Sequence, residues 1–235
     1  MNRNELDFVR EMFDRIAPRY DFLNRLLSLR QDLYWRKTMV AALELAPGAR
    51  VLDTACGTAD VGMEIRRQFQ DRVELVGIDF APQMLRLAKH KVDKDKRRAP
   101  IHLAAADAFD LPFRPAEFDA VTMAFGIRNI QDKATVLKSF WNQLKPGGRL
   151  AILELGTPTH GVARLAYLFY FNRLLPFIGR FFSKHSFAYS YLPNSVARFP
   201  APNEFLGMLR SAGFRNLRYR PLTLGITVLF VGDKP

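Results

Sequence analysis

Val9, Met12, Phe13 and Ile16 fall at i, i+3, i+4 and i+7, which puts all four on one face of a helix. Pro18 then predicts a break, because proline has no N–H to donate and restricts the residue before it. Leu23, Leu26 and Leu27, and then Leu33, Met39, Val40 and Leu43, predict two further helices. From residue 50 the pattern changes. "RVLDTA", "VELVGIDF", "IHLAAAD", "FDAVTMAF" and "RLAILEL" read as short strands, with helices over 61–69, 82–92 and 134–144 among them. Pro146-Gly147-Gly148 stops the last of these helices. Nearly continuous apolar strands alternating with helices predict a parallel sheet covered on both faces. Residues 202–212 predict a final helix with Gly213 as its C-cap. "FRNLRYRPL" and "GITVLFVGD" follow too closely on one another for a crossover, so they predict a hairpin. The expected fold is α/β: a doubly wound, seven-stranded, mostly parallel sheet with a C-terminal antiparallel hairpin, preceded by N-terminal helices.

Composition narrows the classes. Nearly half of the 235 residues are apolar, enough for a full core. One cysteine, Cys56, excludes an internal disulfide and a cysteine-based zinc cluster, and fits a reducing cytosol. The charged N-terminus has no signal-peptide pattern, and no apolar run reaches the roughly 18 residues of a spanning helix. A net charge of +12 favours an anionic partner. Between Glu154 and Glu204 there is no acid, and the stretch is crowded with aromatics. Those aromatics cluster with aliphatic residues and do not interleave with Lys and Arg, which argues against nucleic acid.

In doubly wound sheets ligands bind outside the carboxyl ends of the strands. There stand Asp53 to Asp60, then Asp79, then Asp107-Ala108, then Phe125 to Asn129. Gly57 lets a ligand approach the main chain. Asp79, 26 positions after Asp53, is placed to accept both hydroxyls of a ribose. The turn "CGTADVG" lacks the glycines of a dinucleotide site, with Ala59 standing where the second would be. Asp53 and Asp60 would repel a pyrophosphate but suit a cationic sulfonium carrying an ammonium group. That points to S-adenosylmethionine as cofactor. Cys56 reads as a small residue filling space in this turn.

"VLDTACGTAD", "GIDFAPQML" and "KPGGRLAILE" resemble the motifs of Rossmann-like S-adenosylmethionine-dependent methyltransferases. "YDFLNRLLSLRQDLYW" and "AFGIRNIQDK" narrow the resemblance to the ubiquinone/menaquinone biosynthesis C-methyltransferase family, over nearly the whole chain. It implies cofactor contacts at Thr58, Asp79, Asp107 and Ala108, and methylation of demethylmenaquinol, with the ubiquinone-pathway benzoquinol as the alternative. Three positions depart from the family pattern: Leu23 stands for Met, Asp32 for His and Gly156 for Ser. The domain reading is an N-terminal helical cap, 1–45, over the active site. A methyltransferase domain follows at 46–235, with an aromatic, basic insertion at about 158–200.

Methylating a ring carbon needs an electron-rich quinol, ideally with a phenolate. Arg128 is a candidate to anchor that phenolate and Asn129 to orient a hydroxyl, unless Arg128 pairs with Asp132. Tyr20, Asp21, Asp32, His160 and His185 stand as proton acceptors, with Tyr20 and Asp32 placed at the substrate. A polyprenyl quinol lives in a membrane. Residues 162–182, divided by Pro176 and edged by Arg173, Arg180 and Lys184, are expected to lie on its cytoplasmic surface. No metal site is expected, and a homo-oligomer stays open.

Overall fold

A computed structural model describes residues 3–70, 72–95, 99–158, 161–169 and 187–235. Two helices come first, α1 (Arg3–Leu27) and α2 (Gln31–Ala41). Then β1 (Arg50–Thr54), α3 (Asp60–Phe69), β2 (Glu74–Asp79), α4 (Pro82–Lys94), β3 (Ile101–Ala105) and β4 (Phe118–Ala124) alternate. They are followed by α5 (Lys133–Gln143), β5 (Leu144–Leu155), α6 (Gly161–Phe169), α7 (Phe187–Ala197), α8 (Pro202–Ala212), β6 (Arg215–Leu222) and β7 (Thr227–Asp233). The sheet runs β3-β2-β1-β4-β5-β7-β6. β1 to β5 pair in parallel, and β7 lies antiparallel between β5 and β6. The hairpin is the one its short link predicts, and Gly213 caps α8 in a left-handed conformation, φ 110°.

Alternation along the strands builds the two faces. Val51, Leu75, Ala120 and Ala151 point into one core with Trp35, Met39 and Val40 of α2 and Val61 and Ile65 of α3. Their neighbours Leu52, Val76, Val121 and Ile152 point into the other, against Val136 and Phe140 of α5 and Phe205 and Leu209 of α8. A period of two in the sequence thus becomes two packed layers.

Pro18 does not end the first helix: α1 runs through it for 25 residues. A proline inside a helix costs about 3 kcal/mol. The neighbouring turns offset this by packing. Ala17 is buried beside Ala81 and Met84, and Leu23 beside Tyr167 and Val196. Burying one such leucine stabilises by about 1.5–3 kcal/mol. Asp14 Oδ1 also accepts from the Gln83 backbone N–H at 2.9 Å, satisfying a free donor at the start of α4. The apolar positions of α2 also differ from expectation, since Leu33 is exposed while Asp32 and Arg36 are buried.

The 162–182 segment lies largely outside the described residues. Arg173, Pro176, Arg180 and Lys184 fall there, as do His160 and His185. Among the described residues no helix is long and apolar enough to cross a membrane.

Candidate active site

β1 ends in a turn whose backbone is left-handed at Ala55 (φ 52°), Gly57 (φ 55°) and Ala59 (φ 65°). Two of these are not glycine, so the turn holds strain of the kind that collects at ligand sites. A side chain built on Gly57 would meet nothing within 4 Å, so the space over its main chain is open. Asp79, at the end of β2, is held from both sides. Its Oδ2 accepts from Gly57 N at 2.8 Å and its Oδ1 from Ala81 N at 2.9 Å. Burial nonetheless pushes its carboxyl above the usual range.

Gly57, Asp79, Asp107 and Ala108 line one cavity of about 80 Å³, together with Phe109, Asn129 and, from α1, Val9, Phe13 and Tyr20. Apolar walls with a fixed carboxylate have the chemistry a nucleoside needs, with Asp79 placed to accept from a ribose. Among the described residues no group of three His, Cys, Asp or Glu could hold a metal ion.

Two residues expected at the cofactor are placed differently. Asp53 is buried beneath the turn. Thr122 Oγ1 donates to its Oδ1 at 2.7 Å, and its Oδ2 has no partner. Burial raises its pKa from 3.8 to about 7, the Thr122 hydrogen bond opposing and Asp79 adding. Thr58 donates to Asp21 Oδ1 at 2.5 Å and accepts from Lys91 Nζ at 3.1 Å. It belongs to an ionic cluster that ties the N-terminal helices to the cofactor turn. Lys91 pairs with Asp21 and Asp60, Arg25 with Asp60 and Asp32, and Arg36 with Asp32 at 2.5 Å. Asp32, where the family pattern has His, is locked between two guanidinium groups and also accepts from Ser28 Oγ at 2.9 Å.

The thiol of Cys56 is a packing element. Burial pushes its pKa well up, so it is no ready nucleophile. A Cβ on Gly77 would come within 3.2 Å of its sulfur, so glycine in β2 makes the room it fills.

A second cavity, of about 410 Å³, shares the walls Phe13, Tyr20 and Phe125 with the first. Leu23, Leu27, Trp35, Leu155, Leu192 and Ile226 make most of its lining apolar. Arg128 lines it. Its guanidinium does not pair with Asp132, which instead caps α5 by accepting from Thr135 N at 3.1 Å. Arg128 Nη1 donates to Glu154 Oε1 at 2.7 Å and to Phe125 O at 2.5 Å. Its Nε is buried with no partner. Asn24 lines the same cavity, and its buried Nδ2 is turned toward the Tyr20 phenol with no partner at hydrogen-bond distance. Tyr20 stands between the cavities. Burial raises its phenol, against Arg36 and Asn24, which favour the ionised form. Asn129 lines the cofactor cavity, where its Oδ1 accepts from Tyr191 Oη at 3.1 Å.

Sequence reasoning passed over Glu154 and Asn24. Each left a signal: an acid inside the apolar run "AILEL", and an amide inside "YDFLNRLLS".

A doubly wound sheet with β7 inserted antiparallel, a carboxylate at the end of β2 and a nucleoside slot define a Rossmann-like S-adenosylmethionine-dependent methyltransferase. The chain belongs to the ubiE/COQ5 methyltransferase family, whose model matches residues 1–234. It is similar to the ubiquinone/menaquinone biosynthesis C-methyltransferase UbiE of Geotalea daltonii, 45% identical over 226 residues and covering 96% of each chain. It is also similar to the demethylmenaquinone methyltransferase of Thermus thermophilus, 47% identical over 225 residues, 95% of this chain and 100% of the relative. Among solved structures, an S-adenosylmethionine-dependent methyltransferase from Thermotoga maritima superposes with a TM-score of 0.65 at 18% identity, covering 96% and 99% of the two chains. The [4+2]-cyclase SpnF superposes with a TM-score of 0.69 at 17% identity, covering 97% of this chain and 95% of the cyclase. Likeness at that distance shows the fold alone.

Proposed function

We propose that this chain methylates the ring carbon of demethylmenaquinol to give menaquinol. The observation that carries this is that Arg128 and Asn24, each with a buried unmet donor, stand in the wall of a mostly apolar cavity beside the cofactor slot. A hydroquinone is flat and apolar with an oxygen at each end, so it suits such a lining. Buried polar groups find partners in native proteins, and here the substrate's oxygens supply them. The Thermus relative is named for demethylmenaquinone, and the Geotalea relative's name covers ubiquinone and menaquinone biosynthesis.

When bound, S-adenosylmethionine supplies an electrophilic methyl group on a positively charged sulfur. Asp79, Asp107, Ala108 and Gly57 would hold its nucleoside part. Arg128 stays protonated and stabilises the quinol oxygen as it becomes a phenolate, which raises electron density on the ring carbon. Glu154, fully buried, fixes the guanidinium through Nη1 and leaves Nε for the substrate. Phe13, Tyr20 and Phe125 keep water from the shared wall. The ring carbon gains the methyl while the bonding pair stays on sulfur, and its hydrogen leaves as a proton to solvent at the cavity mouth as the ring regains aromaticity. Tyr20 stays a neutral donor and Asp32 is spent on arginines, so neither takes that proton. The helices of 1–45 act as the cap, and the protein works as a peripheral protein on the cytoplasmic face of a membrane.

Turnover of demethylmenaquinol against the ubiquinone-pathway benzoquinol tests the substrate. A kcat/KM at least tenfold higher for demethylmenaquinol is expected; the reverse order reassigns the head group.

A further inference from the structure

Leu29 and Leu224 share three properties. Both line the 410 Å³ cavity, yet they are 79% and 77% exposed, so they stand at its mouth. Both have left-handed backbone, φ 50° and φ 58°, which a leucine rarely adopts. They come from separate places in the chain, the α1–α2 turn and the single helical turn Thr223–Gly225. Trp35 Nε1 and Gln31 Oε1 both bond Thr223 Oγ1, at 2.7 and 3.1 Å, which ties these two places together. The left-handed backbone closes α1, where Arg30 N bonds Arg25 O at 2.8 Å, and turns the β6–β7 hairpin, where Ile226 N bonds Thr223 O at 3.1 Å, but neither turn needs a leucine side chain facing water. Phe22, Leu26 and Leu33 on α1 and α2, and Leu165 and Phe169 on α6, are also exposed, on elements that wall the same cavity.

The surrounding charge selects the occupant. Arg30 follows Leu29 directly, Arg218 and Arg220 precede Leu224 on β6, and Arg164 precedes Leu165, all exposed. Between Glu154 and Asp233 the only acid is Glu204. A second copy of a +12 chain would bring like charge against like, whereas anionic headgroups attract such a rim.

The geometry points to this rim as the surface that docks on an anionic lipid bilayer, Leu29 and Leu224 entering the acyl region so that the cavity opens directly to the lipid. It rests on the polyprenyl-quinol reading, since a substrate tail must leave the cavity into a medium that accepts it. Of the aromatic segment, the rim takes in Arg164, Leu165 and Phe169 and none of residues 170–186. It also gives the strained leucines a task, because the side chains are stabilised only in the membrane.

The test is sedimentation of the full chain with phosphatidylcholine vesicles containing phosphatidylglycerol. It compares the parent with the double variant Leu29→Asn, Leu224→Asn. Asparagine tolerates left-handed backbone, so the variant is expected to fold at least as well. S-adenosylmethionine binding by calorimetry checks that it has. Partitioning of the variant is expected to fall at least about tenfold, as two leucines no longer leave water. Equal partitioning of variant and parent overturns the rim, as does a parent dimer that the variant dissolves with vesicle binding unchanged. A parent that does not partition at all overturns both the rim and the membrane reading. Methylation of detergent-dispersed demethylmenaquinol by that parent would leave the quinol assignment intact.

Discussion

Arg128 and Glu154 form a buried ion pair, Nη1 to Oε1 at 2.7 Å, in which the glutamate is fully enclosed. The glutamate also accepts from the backbone N–H of Arg128 at 3.0 Å and of Leu155 at 2.8 Å. The end of β5 therefore sets the position of Arg128, the residue proposed to anchor the quinol. Removing one partner of a buried pair costs about 3–5 kcal/mol, because the other charge is left without compensation.

Arg128→Ala alone should lose stability for that reason, and adding Glu154→Gln should restore part of it. Both the single and the double variant should bind S-adenosylmethionine normally and lose turnover at least about 100-fold, the cost of a missing donor at a developing oxyanion. Calorimetry and a turnover assay read the two effects separately. Full turnover in the double variant would remove Arg128 from the mechanism.

Asn24→Ala removes the second unmet donor. A single neutral hydrogen bond contributes about 0.5–1.5 kcal/mol, so kcat/KM for the quinol should fall roughly 2- to 10-fold with cofactor affinity unchanged. Unaltered kinetics would mean that Nδ2 meets no substrate oxygen.

Asp53 gives a pH signature. Its folded pKa, about 7, lies above the unfolded 3.8, so between those values the folded state holds a proton that the unfolded state has lost. Its contribution to stability is complete below about 4, falls as pH rises through the window, and is flat above about 7. Asparagine mimics the protonated acid. Thermal unfolding of the ligand-free Asp53→Asn variant should show a higher Tm than the parent at pH 8 and little difference at pH 4. Asp79, shifted in the same direction, leaves some pH dependence in both.

Cys56→Ala should be nearly silent in turnover and lower Tm by a few degrees, since the thiol fills space beside Gly77. A dead variant with intact cofactor binding would instead make the thiol a nucleophile.

The layers were legible because each strand alternates between two cores, and the hairpin because its link is too short for a crossover. That Asp79, Asp107 and Ala108 would share one cavity was legible because all three come at strand ends on one edge of the sheet. Pro18 misled, since nothing local reports how firmly α1 packs on α4. The tasks of Thr58 and Asp32 were hidden for a similar reason. Arg36 lies one turn from Asp32 on α2, but Asp21, Lys91, Arg25 and Asp60 come from other helices, and only the fold brings the six charges together. The alternative in which Arg128 pairs with Asp132 looked to the nearest acid in sequence, whereas the parallel pairing of β4 with β5 brings up Glu154.

The central claim is that the cavity beside the cofactor slot holds a reduced quinol for methylation at carbon. Its most direct test is incubation of the protein with methyl-labelled S-adenosylmethionine and demethylmenaquinone, with and without reductant. The account predicts label on the ring carbon of menaquinol only in the reduced sample, and its loss in the Arg128→Ala, Glu154→Gln variant. No labelled menaquinol, or equal labelling of the oxidised quinone, would contradict it.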